Sequence, residues 1–472
     1  MIALLIILLV LVILVLVYFG VLLWFRDPSL NLRFDFAKLK AIPWRFGKDF
    51  LWGSATASHQ IEGNCTNNNW YQFESAVDEQ GKPKIKDGQK SGLACDSWNR
   101  YKEDTRLMKE LSLNSYRFSV EWSKIEPKQG EFDVAALDHY EQVVDDLLAN
   151  GIEPVITLHH FTNPLWFEQQ GAFLQDNSPQ IFAQFCERVV QRLGPKVKLW
   201  CTINEPNVYA YSGYATAEFP PGEKDYKKAG RVFRNMMLAH TAAYQVIKRI
   251  RPEAQAGLAV HIHFVDPLNQ WNLFDVLVAH LLNKNFNDCH FPYLTKGNFN
   301  FSIPGMVNET YSGAEKDAFD FIGLNYYTHS YRKFQPSGSD QFPEVVKLPP
   351  DQLTDMQNEV YPAGLYRALK LITRYTSKPI YILENGIADK ADTRRASYIE
   401  QHLLVLNKAI ADGIDIRGYQ YWSLLDNFEW AKGFDMKFGL YKVDFATQKR
   451  TLYEGSHRYQ EIIQASRKSF EK

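Results

Sequence analysis

Two glutamates stand where a carboxyl group can do chemistry. Glu205 lies in Thr202-Ile203-Asn204-Glu205-Pro206, and Glu384 lies in Ile382-Leu383-Glu384-Asn385-Gly386. Each sits at the exit of an apolar, strand-like run. Splitting a glycosidic bond needs one carboxyl group to protonate the leaving oxygen. It needs a second, ionised, to attack or stabilise the anomeric carbon. A lone glutamate at a strand end is more often a solvated or salt-bridged rim residue. Two of them, inside Asn-Glu-Pro and Glu-Asn-Gly, make a sharper signal.

The surrounding elements must bring these side chains together. Eight strand-like runs recur along the chain: Phe50–Ala57, Ser115–Trp122, Pro154–His159, Leu199–Asn204, Gln255–Ile262, Asp320–Tyr327, Pro379–Glu384 and Ile416–Ser423. Helix-period stretches alternate with them, at Val134–Asn150, Pro179–Arg192, Ala229–Ile250, Ala363–Thr376 and Arg395–Asp412. That alternation implies parallel strands with helical crossovers. Eight such units predict an α/β fold, a closed (β/α)8 barrel of the TIM type, whose active residues sit at the C-terminal ends of the strands. Glu121, His160, Glu205, Asn325, Glu384 and Trp422 all fall at or near such exits. An open doubly wound sheet would want a glycine-rich phosphate loop after a strand, and none is present.

At this point a family resemblance becomes specific. Matching stretches occur in order at Phe50–Gly63, Tyr116–Ser123, Thr157–His160, Thr202–Pro206, Asn235–His240, Asp320–Thr328, Glu384–Gly386, Tyr421–Trp430 and Phe438–Leu440. Over roughly residues 44 to 466 the chain resembles a family 1 glycoside hydrolase. The resemblance implies a retaining β-glycosidase with Glu384 as nucleophile and Glu205 as general acid/base. It implies that Arg117, Tyr327 and Asn325 support the nucleophile. It implies a substrate ring of Gln60, His160, Phe161, Asn204, Trp422, Glu429, Trp430 and Phe438, with Asn204 the donor to the sugar 2-hydroxyl. A cation and a hydroxyl beside Glu384 would keep it ionised, whereas Glu205 must hold a proton before attack. Glu429 would accept two sugar hydroxyls and repel a phosphate, so non-phosphorylated β-glucosides or β-galactosides are the expected substrates. Transfer of the sugar to a glycolipid acceptor would use the same two glutamates, because water and alcohol compete for one ester. A binding-only relative would have lost one of them. Several positions depart from the family pattern: His59, Lys124, Phe161, Leu383 and Lys437. They leave the reaction intact and affect sugar and aglycone preference.

Composition narrows the partners. The formal net charge is −1, which offers no field for nucleic acid. The five cysteines, at 65, 95, 186, 201 and 289, are too few and scattered for a disulfide framework or a zinc site. Neither a metal nor a cofactor is expected. Residues 2–24 form an uncharged apolar run. At about 1.5 Å per residue it is long enough for a bilayer core of roughly 30 Å. No small-x-small cleavage site follows it, so it reads as a single-pass transmembrane anchor rather than a signal peptide. Arg26, Arg33, Lys38, Lys40 and Arg45 follow the span and place the catalytic domain on the cytoplasmic side. The expected organisation is an anchor at 1–24, a juxtamembrane linker at 25–44 and a glycosidase domain at 45–472. The linker either packs on the barrel or meets anionic headgroups.

Overall fold

A computed structural model describes residues 1–336 and 342–468. Eight parallel strands close into a barrel. They are β1 (Leu51–Ala55), β2 (Ser115–Ser119), β3 (Glu153–His159), β4 (Leu199–Asn204), β5 (Gln255–His261), β6 (Phe321–Asn325), β7 (Ile380–Asn385) and β8 (Ile416–Trp422). Closure comes from β1 pairing with β8, from Leu51 opposite Gly418 to Ala55 opposite Trp422. All eight match the runs read from sequence. Some runs end early: the first, because Ser58–Ile61 turns helical, and the second, because Trp122–Ile125 does. The strands are buried along almost their whole length, as expected where helices cover one side and barrel-filling side chains the other.

The outer ring comprises α1 (Ser97–Glu110), α2 (Val134–Ala149), α3 (Ser178–Leu193), α4 (Tyr226–Ile250), α5 (Leu273–Asn283), α6 (Pro362–Ile372), α7 (Arg395–Ala411) and α8 (His457–Lys468). The longest shows why they form. Asp225 caps α4 by accepting from the backbone N–H groups of Lys227 and Lys228. Val232, Met236, Ala239, Ala243 and Ile247, three or four residues apart, are buried against the barrel.

The strand alignment slips where chemistry is expected. The β4–β5 pairing shifts between Cys201 and Asn204, and both neighbours of β7 shift after Ile382. Such irregularities re-aim side chains, here those of Asn204, Glu205 and Glu384. Gly386 serves the same region: a Cβ there would overlap the Trp422 carbonyl.

One helix, Ile2–Phe25, projects from the barrel and meets α5 from Tyr18 to Phe25, and of its residues only Leu22 is buried. It is apolar and long enough to cross a membrane. The residues after it pack on the barrel. Asp27 Oδ2 lies 2.9 Å from Arg367 Nη2, and Arg367 Nε donates to Ser29 Oγ at 3.0 Å. Phe34 meets Tyr366 edge-on, with ring centres 5.5 Å apart. Of the two readings of residues 25–44, the contacts match the packed one.

Candidate active site

At the C-terminal ends of the strands lies a cavity of about 250 Å³. Glu205 and Glu384 both line it and are nearly fully buried. Glu205 has a left-handed backbone, φ 44° and ψ 63°, a conformation that costs a non-glycine residue of order 1–3 kcal/mol. Its N–H bond to the Ala259 carbonyl, 2.9 Å, and the helix Pro206–Tyr214 beginning at the next residue hold it there. The strained turn points the carboxyl inward rather than along the strand.

Glu384 is held by two donors. Arg117 Nη1, from the middle of β2, reaches Oε1 at 2.5 Å, and the Tyr327 hydroxyl reaches Oε2 at 2.7 Å. Arg117 also donates through Nη2 to Asn204 Oδ1 at 2.7 Å. Those partners are the ones the sequence assigned. Asn325 is a correction. Expected beside the nucleophile, it donates through Nδ2 to Glu205 Oε1 at 2.7 Å and to Asn204 Oδ1 at 3.0 Å. Asn325 sits opposite Glu384 in the β6–β7 pairing, yet its side chain turns to the β4 side.

The two carboxyl groups titrate together. Burial pushes Glu384 up to about 7, Arg117 opposes it, the Glu205 charge adds to it, and Tyr327 opposes it. Burial also raises Glu205, but the charge and hydrogen bond of His261 and the bond from Asn325 outweigh it and leave Glu205 below its ordinary value. Like charges this close cannot both ionise freely, so the pair holds a proton well above the usual carboxylate range. His261 Nδ1 lies 3.0 Å from Glu205 Oε1, the oxygen that also accepts from Asn325. Arg117 favours the anion at Glu384, against burial and the Glu205 charge. His261 was not among the sequence-assigned residues, although it lies one residue before the end of the fifth strand-like run and ends β5. The rule that selected His160 and Glu205 selects it equally.

The rest of the lining is aromatic and polar. His160 stacks on Trp422 and Trp430, with ring centres 5.8 and 5.9 Å away, and Phe161 meets Trp430 edge-on. Phe438 and Tyr327 pack edge to face at 6.1 Å. Glu429, also lining, is pushed up to about 8, first by burial and then by the Glu384 charge, with bonds from Trp422 and Gln60 opposing. A carboxyl raised this far can donate a hydrogen bond as well as accept one. Gln60, Arg117, Asn204 and Asn325 stand behind the lining. Gln60 Oε1, His160 Nδ1 and Asn325 Oδ1 are buried with no hydrogen-bond partner in the protein. Ligand hydroxyls would satisfy such atoms, since buried polar groups are otherwise paired.

Other sequence-noted positions lie outside the lining. Glu121 is buried in a structural network, accepting from Ser58, Asn68, Ser123 and Thr162. Lys124 pairs with Glu62 at 2.9 Å, and Lys437 lies over the Phe445 ring. His59 bonds Glu74 at 3.0 Å and stacks behind Trp430. All five cysteines are free and buried. Among the described residues no group of three His, Cys, Asp or Glu could hold a metal ion.

Comparison with known proteins agrees with this geometry. The profile of glycosyl hydrolase family 1 matches residues 43–468. β-Glucosidase A of Acetivibrio thermocellus is 33% identical over 444 residues, covering 89% of this chain and 98% of its own. A 6-phospho-β-galactosidase of Clostridium acetobutylicum is 30% identical over 470 residues, covering 88% and 96%. The structure of a β-glycosidase from Pyrococcus horikoshii superposes with a TM-score of 0.81 at 38% identity, over 90% of this chain and 96% of that one. Barrel, paired glutamates and relatives converge: the chain belongs to glycosyl hydrolase family 1 and is a retaining β-glycosidase.

Proposed function

We propose that Glu384 attacks the anomeric carbon of a β-glycoside while Glu205 protonates the departing oxygen. The observation that carries this is the asymmetry of their partners. Glu384 receives two fixed donors, Arg117 and Tyr327, which favour a carboxylate. Glu205 is bonded instead to the neutral amide of Asn325 and to the His261 ring. In the first step the Glu384 oxygen forms an ester with the sugar as the glycosidic bond breaks, and the Glu205 proton leaves with the aglycone. In the second, Glu205 takes a proton from water, which attacks the ester and frees Glu384. Asn204, fixed by Arg117 and Asn325, is placed to bond the sugar 2-hydroxyl. His160, Trp422 and Trp430 form the ring platform, and Gln60 and Glu429 bind outer hydroxyls.

A neutral sugar fits this cavity better than a phosphorylated one. Glu429, Glu205 and Glu384 surround the sugar position, and Arg117 is committed to Glu384 and Asn204. Gluco and galacto donors both fit that description. Hydrolysis is the reading kept, because nothing lining the cavity favours an acceptor alcohol over water.

The helix Ile2–Phe25 is read as a single-pass anchor, with the catalytic barrel on the cytoplasmic side. Its apolar length supports this, as do the basic residues that follow it. The chain should resist extraction from membranes by alkaline carbonate; release by carbonate would exclude the anchor.

The catalytic roles are tested by product configuration. Glu384→Gly should lose turnover and, with azide and an activated donor, give an α-glycosyl azide. Glu205→Ala should instead give the β-azide from activated donors. Opposite results would exchange the two roles.

A further inference from the structure

We propose that the turn before α5 and the start of that helix form a second membrane contact: Trp271 and Phe274, joined by Phe334, insert into the lipid interface beside the N-terminal helix. The proposal rests on reading Ile2–Phe25 as a membrane span.

Helix geometry carries it. The N-terminal helix and α5 run side by side in the same direction. The Tyr18 hydroxyl accepts from Leu273 N–H at 3.1 Å and donates to the Trp271 carbonyl at 2.8 Å. Seven residues further along each helix, Phe25 packs on His280, with ring centres 4.9 Å apart. Only the part before Tyr18 is therefore free of the barrel, about 16 residues or about 24 Å of helix. A bilayer core is roughly 30 Å thick. The free part is too short, so the core must reach past Tyr18. That brings the first turn of α5 to the level of the lipid interface.

The side chains at that level suit the position. Trp271 is 51% exposed and Phe274 58% exposed, although both are large and apolar. Phe334 stacks on Phe274 at 5.3 Å and is itself exposed. An exposed aromatic cluster continuous with an apolar helix is the composition of a membrane-interface belt. The Arg26 guanidinium lies 4.5 Å over the Trp271 ring, placing a cation where lipid phosphates lie. The cluster is rigidly built. Buried Asp275 accepts from the backbone N–H of Asn269 at 3.1 Å and of Phe334 at 2.9 Å, tying the two loops together.

The contact also bears on the site. Beyond β5 and β6 the chain forms a parallel ribbon, Phe264–Pro267 beside His329–Arg332. Its near end adjoins His263 and Thr328, which line the cavity. Its far end leads into Trp271 and Phe334. Four residues at about 3.3 Å each span about 13 Å. The bilayer surface then lies within a lipid headgroup's reach of the cavity mouth, so sugars carried on lipids are the substrate class this contact favours.

Nitroxide labels on single introduced cysteines test it in the full chain, reconstituted in phosphatidylcholine vesicles. The five native thiols are buried. Labels at Leu11→Cys, at Phe274→Cys or Trp271→Cys, and at Lys442→Cys are compared by collision with oxygen and with a water-soluble nickel chelate. Lys442 lies on a hairpin whose Tyr441 bonds to α1, across the barrel from α5. The expected result is a core depth for 11, an interfacial depth for 271 and 274, and water for 442. A lipid-embedded label at 11 with labels at 271 and 274 as water-accessible as 442 overturns the second contact and leaves the anchor standing. A label at 11 in water overturns the anchor and the contact with it. Loss of the 271 and 274 depth signal in favour of a spin–spin interaction between chains would assign the patch to a second copy and overturn the lipid reading.

Discussion

His261 Nδ1 lies 3.0 Å from Glu205 Oε1, while the other donor to that oxygen, Asn325, cannot titrate. The charge and hydrogen bond of His261 help to hold Glu205 below its ordinary value. Replacing His261 by Asn removes both, so Glu205 should keep its proton to higher pH. The basic limb of kcat/KM should move to higher pH. Donors with activated leaving groups, which need no proton, should respond much less than poor ones. An unchanged basic limb, with all donors affected equally, would reduce His261 to a packing role.

Glu429 makes a second test of electrostatics. Burial and the Glu384 charge push it up to about 8, so it enters the reaction neutral or nearly so. Glu429→Ala should cost two hydrogen bonds to the sugar, at about 0.5–1.5 kcal/mol each between neutral groups. That is a fall in kcat/KM of about ten- to a hundredfold. The loss should shrink for a donor lacking one of those hydroxyls. Equal losses for both donors would place Glu429 away from the sugar.

The base of the N-terminal helix is tied into the barrel by a buried cluster. Asp266 accepts both Arg367 terminal nitrogens, at 2.8 and 2.9 Å, and meets His329 Nδ1 at 2.6 Å. Burial opposes its charge, but the bonds from His329 and Arg367 hold Asp266 down to about 2. A depressed acid stabilises the fold above its unfolded value, near 4, and that gain is lost as pH falls toward 2. It is worth about 2 kcal/mol. For His329, burial is outweighed by Asp266 and Glu359, and its value is raised. Its contribution is present below the ordinary histidine value and fades as pH climbs through the raised one. Asp266→Asn should lower Tm and flatten stability against pH between about 4 and 2. A mutant with unchanged acid sensitivity would place the acid-labile step elsewhere.

The same cluster bears on truncation. Asp27 and Ser29 bond Arg367, and Arg45 N–H donates to Asn407 at 2.7 Å. A chain starting at residue 26 should keep the Tm of the barrel and full activity on small glycosides. One starting at 44 loses the Asp27–Arg367 pair and should melt several degrees lower. Identical Tm values would mean that residues 26–43 contribute nothing to the fold.

Much of this was legible in the sequence because strand exits are marked by polar residues after apolar runs. Glu205 and Glu384 follow from that pattern, whereas Arg117, in the middle of β2, and Tyr327 follow from the family resemblance. Asn325 was misassigned because its partner depends on where the side chain turns between β4 and β7, which spacing does not encode. His261 was overlooked although the pattern marked it. The ribbon Phe264–Pro267 escaped notice because its partner strand lies more than sixty residues away and each piece is four residues long. The exposure of Trp271 and Phe274 was illegible for another reason. α5 is apolar on most of its faces, so periodicity could not say which side lacks cover.

The most direct test of the central assignment is to trap the intermediate. An activated 2-deoxy-2-fluoro-β-glucoside slows both steps by destabilising positive charge, while its leaving group spares the first, so the ester accumulates. Peptide mass analysis should then find the fluorosugar on the peptide carrying Glu384, bound to that side chain, with Arg117 and Tyr327 still required for labelling. A sugar found on Glu205, on Glu429 or on any other residue would contradict the assignment.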